Sequence, residues 1–353
     1  HRDLHLSIRR QRQMCIRDRI KINDEQRGFY RVNYPTDQWA ILGEGIKSLE
    51  LSPSNRLGLQ ADAFGLTQAG LLSPIIFMEL ATTYANESHP SVWRDLASNL
   101  RTFEGYIQRE PYLSGFHSLA RNLFHDIVNK MGWTPGMDEG HLKSLLRSTV
   151  LGQSGYYGNT KILDAARLQF SNFLTEPASL HPDLRSVVFG LVAQEGDVSI
   201  YNTLLDLEEA AVLHEERIRI LRALGRFNNQ ELLGRTLAMS LEPRVRIQDT
   251  VMLVNSVAAN RLGLRLAWDF VKDNWGEFTR RYSGGGFAIM RLVGITSGFG
   301  TPDDAADVEE FFQRHPTPAV ERTVRQCIER IKLTTSWLQL YREDLSAWFA
   351  NRV

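Results

Sequence analysis

The stretch Pro90-Ser91-Val92-Trp93-Arg94-Asp95-Leu96-Ala97-Ser98-Asn99-Leu100-Arg101-Thr102-Phe103-Glu104-Gly105-Tyr106-Ile107 places apolar residues at Val92, Leu96, Leu100, Phe103 and Ile107. Spacings of four, four, three and four put all five on one side of a helix with 3.6 residues per turn. Pro90 suits a helix start, where the missing N–H has no partner to lose. The same rhythm returns at Trp268, Val271, Trp275 and Phe278, and again at Val320, Val324, Cys327 and Ile331 after Pro316 and Pro318. Between such stripes stand short breakers: Ala69-Gly70, Gly152-Gln153-Ser154-Gly155, Glu195-Gly196-Asp197, Glu242-Pro243 and Ser283-Gly284-Gly285-Gly286. Helices joined by short turns, with no strand-rich region among them, predict an all-α layered array. No strict sequence period is present, so the expected form is an irregular α-superhelix of HEAT/armadillo-like helix pairs.

Two N-terminal segments read differently. Gly28-Phe29-Tyr30-Arg31-Val32-Asn33-Tyr34 is rich in aromatic and β-branched residues, with Tyr30, Val32 and Tyr34 alternating onto one face before Pro35. This predicts a strand. No partner follows it, so it reads as the last strand of a sheet whose other strands lie elsewhere. Residues 1–19 hold six Arg against two Asp, with little apolar content. Their end, Gln13-Met14-Cys15-Ile16-Arg17-Asp18-Arg19, resembles translated adapter sequence, and the segment reads as a non-native arm. The expected organisation is therefore an arm over 1–19, the last strand of a β-sandwich domain over 20–35, and one helical domain over 36–353.

Bulk properties exclude several classes. The 353 residues carry 41 basic and 41 acidic side chains, which argues against a surface devoted to nucleic acid or anionic membrane. No apolar run has the length of a membrane span. Two cysteines, Cys15 and Cys327, supply neither a disulfide framework nor a zinc-binding pair and suit a reducing compartment, so the expected location is cytoplasmic.

A gluzincin zinc site needs two His one helical turn apart with a Glu beside the first. His214-Glu215-Glu216-Arg217-Ile218 comes nearest, but Ile218 stands where the second ligand belongs, so it reads as a solvated helix face with i,i+3 and i,i+4 charge pairs. His1 and His5 have the spacing, yet Arg2 occupies the Glu position. His1-Arg2-Asp3-Leu4 mimics a kinase catalytic loop without its Asn or a Gly-rich loop. No nucleophile elbow, P-loop or strand-linked dinucleotide fingerprint occurs. His89, His117, His125, His141, His181 and His315 read as loop and cap residues. The residues taken alone describe an all-α body with no catalytic centre and no metal site.

Several segments are similar to the C-terminal helical domain of gluzincin zinc aminopeptidases, closest to the puromycin-sensitive type. Gly28–Tyr34 resembles the run that ends that family's β-sandwich domain. Asn55-Arg56-Leu57-Gly58-Leu59-Gln60-Ala61-Asp62-Ala63-Phe64 resembles the helix that opens its helical domain. Leu266–Trp275, Arg281-Tyr282-Ser283-Gly284-Gly285 and Phe311–Thr323 follow in the family's order.

The resemblance implies a parent hydrolase that removes N-terminal residues from peptides. Its zinc is held by HExxH and a later Glu, and a G-A-M-E-N segment grips the substrate's amino terminus. None of these motifs occurs here, so no catalytic or metal position carries over and zinc belongs to the parent alone. What this chain would supply is a helical wall around the substrate chamber, packed against the catalytic and β-sandwich domains of the same parent, with peptides as ligands. Arg281, Tyr282 and Arg291, flanking the Gly-rich turn, are the expected peptide contacts, cations being suited to a peptide's carboxylate. The alternative reading is a stand-alone helical scaffold that binds protein partners through a concave surface.

Overall fold

A computed structural model describes residues 15, 16, 19–136, 139–283 and 286–352, with the backbone alone at 15, 16 and 19. Among these residues the chain is all-α apart from two dipeptide strands, Cys15–Ile16 and Arg19–Ile20, paired antiparallel with Cys15 opposite Ile20. The rest of the 1–19 arm lies outside the described residues. The described residues divide into two compact units, those up to 158 with 339–352, and those from 159 to 338.

The first unit holds α1 (Thr36–Lys47), α2 (Pro53–Gln68), α3 (Pro74–Thr82), α4 (Pro90–Ile107), α5 (Leu113–Met131) and α6 (His141–Tyr156). Proline opens α2, α3 and α4, and at α2 the Ser52 hydroxyl accepts the Asn55 N–H at 3.2 Å. The stripe that predicted α4 is its core face. Val92, Leu96, Leu100, Phe103 and Ile107 are all 0% exposed, and α4 packs on α2, α5 and α6. Phe103 links Phe77 of α3 to Phe116 of α5, with ring centroids 6.0 and 5.6 Å apart.

The strand expected over Gly28–Tyr34 is not formed. Residues 31–35 run outside helix and sheet, and no neighbouring strand exchanges backbone hydrogen bonds with them among the described residues. Hydrogen bonds that each involve one side chain hold the segment instead. The Val32 N–H donates to the Asp62 carboxylate of α2 at 3.3 Å, and Asn33 Nδ2 donates to the Leu71 carbonyl at 3.2 Å. The Tyr34 hydroxyl accepts from the Ile22 N–H and donates to the Ile22 carbonyl, at 3.0 and 3.1 Å. Alternation survives only in part, with Val32 and Tyr34 buried and Tyr30 exposed. A lone strand has no ladder to join.

The second unit holds α7 (Thr160–Thr175), α8 (Pro182–Gln194), α9 (Val198–Ala210), α10 (His214–Leu224), α11 (Gln230–Met239), α12 (Ile247–Ala258), α13 (Leu264–Asp273), α14 (Trp275–Arg281), α15 (Gly286–Gly294) and α16 (Pro302–Arg314). The last helix, α17 (Glu321–Ala350), contributes to both units. Successive helices pair as α7–α8, α9–α10 and α11–α12, while α8, α10, α12 and α15 form a neighbouring row. Side-chain caps from Asn159, Asp197 and Asn229 start α7, α9 and α11, the first helix of each pair.

Both C-terminal stripes are buried as their spacing predicts. Trp268, Val271 and Phe278 are 0% exposed and Trp275 is 6%. The stripe crosses from α13 to α14 although the helix breaks at Asn274, where φ is −108° and ψ 19°. Val320, Val324, Cys327 and Ile331 join the same cluster.

Two local expectations fail. Gly152–Gly155 does not interrupt the chain but lies inside α6, and the turn falls three residues later at Gly158, whose φ of +85° needs a residue without Cβ. His89, His141, His181 and His315 do stand at helix ends, but His117 and His125 lie within α5. His117 Nε2 is 2.7 Å from the carboxylate of Glu104 on α4, which also accepts the Tyr156 hydroxyl at 2.9 Å.

Candidate functional site

Arg281 ends α14, Tyr282 follows it, and Arg291 sits in α15 beyond the Gly-rich turn. Gly284 and Gly285 lie outside the described residues. The two residues before the turn are committed within the fold. Arg281 Nε donates to Glu277 Oε1 at 2.6 Å, and its Nη2 donates to the Leu241 carbonyl at 2.7 Å. The Tyr282 hydroxyl donates to the Ile247 carbonyl, also at 2.7 Å. Together they tie the end of α14 to the connection between α11 and α12. Burial pushes the Tyr282 phenol up. Hydrogen bonds from Arg280 and Arg281 hold the Glu277 carboxyl down at about 2.

Arg291 differs. It is exposed and has no hydrogen bond or ion pair among the described residues. One helical turn earlier Phe287 is 84% exposed. An i,i+4 pair shares a helix face, so α15 presents an aromatic ring and a guanidinium side by side, each open to a ligand. Spacing could have found Phe287, but an exposed apolar residue looks the same in sequence as a core one.

No group of three or more His, Cys, Asp or Glu is placed to hold a metal among the described residues. His214, the nearest sequence approach to a zinc ligand, faces a single carboxylate, with Nε2 3.5 Å from Asp249. Of its neighbours, Glu216 pairs with Arg219 at i,i+3 as a solvated helix face should. Arg217 instead reaches the buried Glu208 of α9, a contact between helices that the helix-face reading did not include. These residues do not fit a zinc centre. No described helix is long and apolar enough to cross a membrane.

The family model described as "ERAP1-like C-terminal domain" matches residues 20–333. The chain belongs to that family. Aminopeptidase M1 of Arabidopsis thaliana is 30% identical to this ERAP1-like domain over 92% of the chain and 38% of the relative. Aminopeptidase A of Gloydius brevicauda is 30% identical over 94% of the chain and 35% of the relative. Alanine/arginine aminopeptidase of Saccharomyces cerevisiae is 27% identical over 93% and 39%. The domain thus spans less than two fifths of the length of the relatives it matches. Similarity at this level, spread over relatives of different named specificity, carries the aminopeptidase family and not the puromycin-sensitive type within it.

Proposed function

We propose that this ERAP1-like domain is the substrate-chamber domain of a cytoplasmic, zinc-dependent aminopeptidase that removes N-terminal residues from peptides. The observation that supports this most directly is the family match over 20–333, with matched relatives named as aminopeptidases and covered over only 35–39% of their length. In this reading the zinc and the bond-breaking residues belong to the parent's catalytic domain, with residues 20–35 the junction to its β-sandwich domain. This chain contributes positioning and exclusion of water.

The peptide contact falls to Arg291, with Phe287 offering a face for an apolar side chain. A guanidinium free of internal partners can pair with a terminal carboxylate in two-pronged fashion. Arg281 and Tyr282 act behind it, fixing the end of α14 from which the turn departs.

Fluorescence polarisation on the purified chain tests this, using one apolar peptide as free acid and as C-terminal amide. The acid is expected to bind several-fold more tightly, and Arg291→Gln to erase the difference. Equal binding of acid and amide would overturn the contact. Stoichiometric zinc with peptidase activity in the chain alone would overturn the domain reading itself.

A further inference from the structure

The second unit carries an open groove of about 370 Å³ between α16 and α17, a volume within the range of small-molecule sites. Its chemistry is mixed in an ordered way. Ile328 and Leu333 supply its apolar surface, Leu333 being 58% exposed. Glu329, Lys332 and Ser336 rise from α17, and Glu309 faces them from α16. Residues 329, 332, 333 and 336 follow the i, i+3, i+4, i+7 pattern, so they share one helix face. Arg325, also on the lining, is engaged by Glu321 at 3.5 Å. Glu309, Glu329 and Lys332 have no ion pair or hydrogen bond among the described residues. A cation and two anions thus stand unpaired around apolar surface.

We propose that this groove binds a free amino acid with an apolar side chain. Glu329, with Glu309 opposite, would receive the ammonium, and Lys332 and the Ser336 hydroxyl the carboxylate. Ile328 and Leu333 would receive the side chain. The spacing suits so small a ligand. Residues 329 and 332 are separated by about 4.5 Å of helix rise, which long side chains can close onto a zwitterion whose two charges sit on adjacent atoms of one α-carbon. A polyanion is disfavoured by the two carboxylates, and a zwitterion can meet both signs of charge on the lining at once. The contacts are solvent-exposed, so the affinity expected is low, near about 1 mM. A free amino acid is the class of product an aminopeptidase releases. A role in sensing product rests on the function proposed above, but the binding does not.

Amide-resolved NMR titration of the full chain tests the site with L-leucine, N-acetyl-leucine and leucinamide. L-leucine is expected to shift resonances around Lys332 and Ser336, and each blocked analogue to bind about threefold to fivefold more weakly. Glu329→Gln should remove the preference over N-acetyl-leucine, and Lys332→Gln the preference over leucinamide. Both positions are exposed, and an unchanged spectrum elsewhere would certify folding. No shift in the groove up to about 20 mM ligand, or equal binding of all three compounds, overturns the proposal. Shifts elsewhere, untouched by either variant, overturn it as well. Because no activity is measured, failure here leaves the aminopeptidase reading where it stood.

Discussion

Arg56 of α2 grips Glu87 with two hydrogen bonds, Nε to Oε2 at 2.6 Å and Nη2 to Oε1 at 2.9 Å, and the Glu87 side chain is wholly enclosed. The Ser88 and His89 N–H groups donate to the same carboxylate at 2.8 and 2.7 Å, while Trp93 Nε1 donates to the Glu87 carbonyl at 2.9 Å. One acidic residue thus fastens α2 to the entry of α4. Removing one partner strands the other charge away from water. Glu87→Gln is therefore expected to destabilise the chain by about 3 kcal/mol or more, read as a lower urea midpoint. A change below about 0.5 kcal/mol would mean that water reaches the site.

The same pair sets an acid response. Burial pushes the Glu87 carboxyl up, but the Arg56 hydrogen bond and the His89 and Ser88 N–H groups outweigh it and hold the group below the ordinary glutamate range. A carboxyl depressed in the folded state stabilises above its unfolded pKa, and that stability is lost as pH falls through the folded value. The melting temperature should accordingly drop below about pH 4, and Glu87→Gln should flatten that drop. Parallel curves for the two proteins would sink the assignment.

Two glycines should respond to alanine with opposite sign. A Cβ on Gly225, just after α10, would lie 2.5 Å from the Ser256 carbonyl carbon and 2.7 Å from its oxygen on α12. Backbone cannot swing aside, so Gly225→Ala should cost about 1–3 kcal/mol. Gly234, inside α11, has nothing within 4 Å of its virtual Cβ. Gly234→Ala should stabilise by about 0.5–1 kcal/mol. Calorimetry of the two variants side by side reads both signs, and a stabilised Gly225→Ala would refute the contact between α10 and α12.

Trp268 is fully buried and donates from Nε1 to Asp307 of α16 at 2.8 Å, while Lys272 Nζ reaches the same carboxylate at 2.9 Å. Trp268→Phe keeps most of the ring and loses the hydrogen bond, at an expected cost of about 1 kcal/mol plus a small packing term. Trp268→Ala should cost about 3–5 kcal/mol. Chemical denaturation separates the two, and near-equal losses would show that the indole packs less tightly than its burial indicates.

Glu277 gives a spectroscopic check on the end of α14. With Arg280 and Arg281 both donating, its carboxyl titrates at about 2. Arg280→Gln removes the larger influence and should move the midpoint up towards ordinary glutamate values. Carboxyl-carbon NMR follows it directly, and an unmoved midpoint would show that Arg281 alone sets it.

What could be read in advance was what depends on local period and short-range sterics. The stripes at Val92–Ile107, Trp268–Phe278 and Val320–Ile331 mark faces that must be buried wherever the helices pack, and all three are buried. Pro90 marks a helix start because the N–H that proline lacks would have no intrahelical partner there, and in the structure Pro53, Pro74, Pro182 and Pro302 open helices for the same reason. The five blocks of resemblance pointed to the family, and the family match over 20–333 spans all five. Where the readings missed, the deciding partner was distant in sequence. Gly28–Tyr34 alternates like a strand, but a strand needs a neighbour, and the Asp62 carboxylate accepts the Val32 N–H instead while the Asn33 side chain bonds to the Leu71 carbonyl. Gly152 and Gly155 look like breakers, yet the flanking packing keeps α6 intact. Arg281, Tyr282 and Arg291 are indistinguishable as exposed polar residues along the chain. The Arg281–Glu277 pair is an i,i+4 contact of one helix. Only tertiary structure bonded Arg281 and Tyr282 to the Leu241 and Ile247 carbonyls and left Arg291 open to solvent, because partners 40 and 35 residues away follow from how helices pack and not from their period.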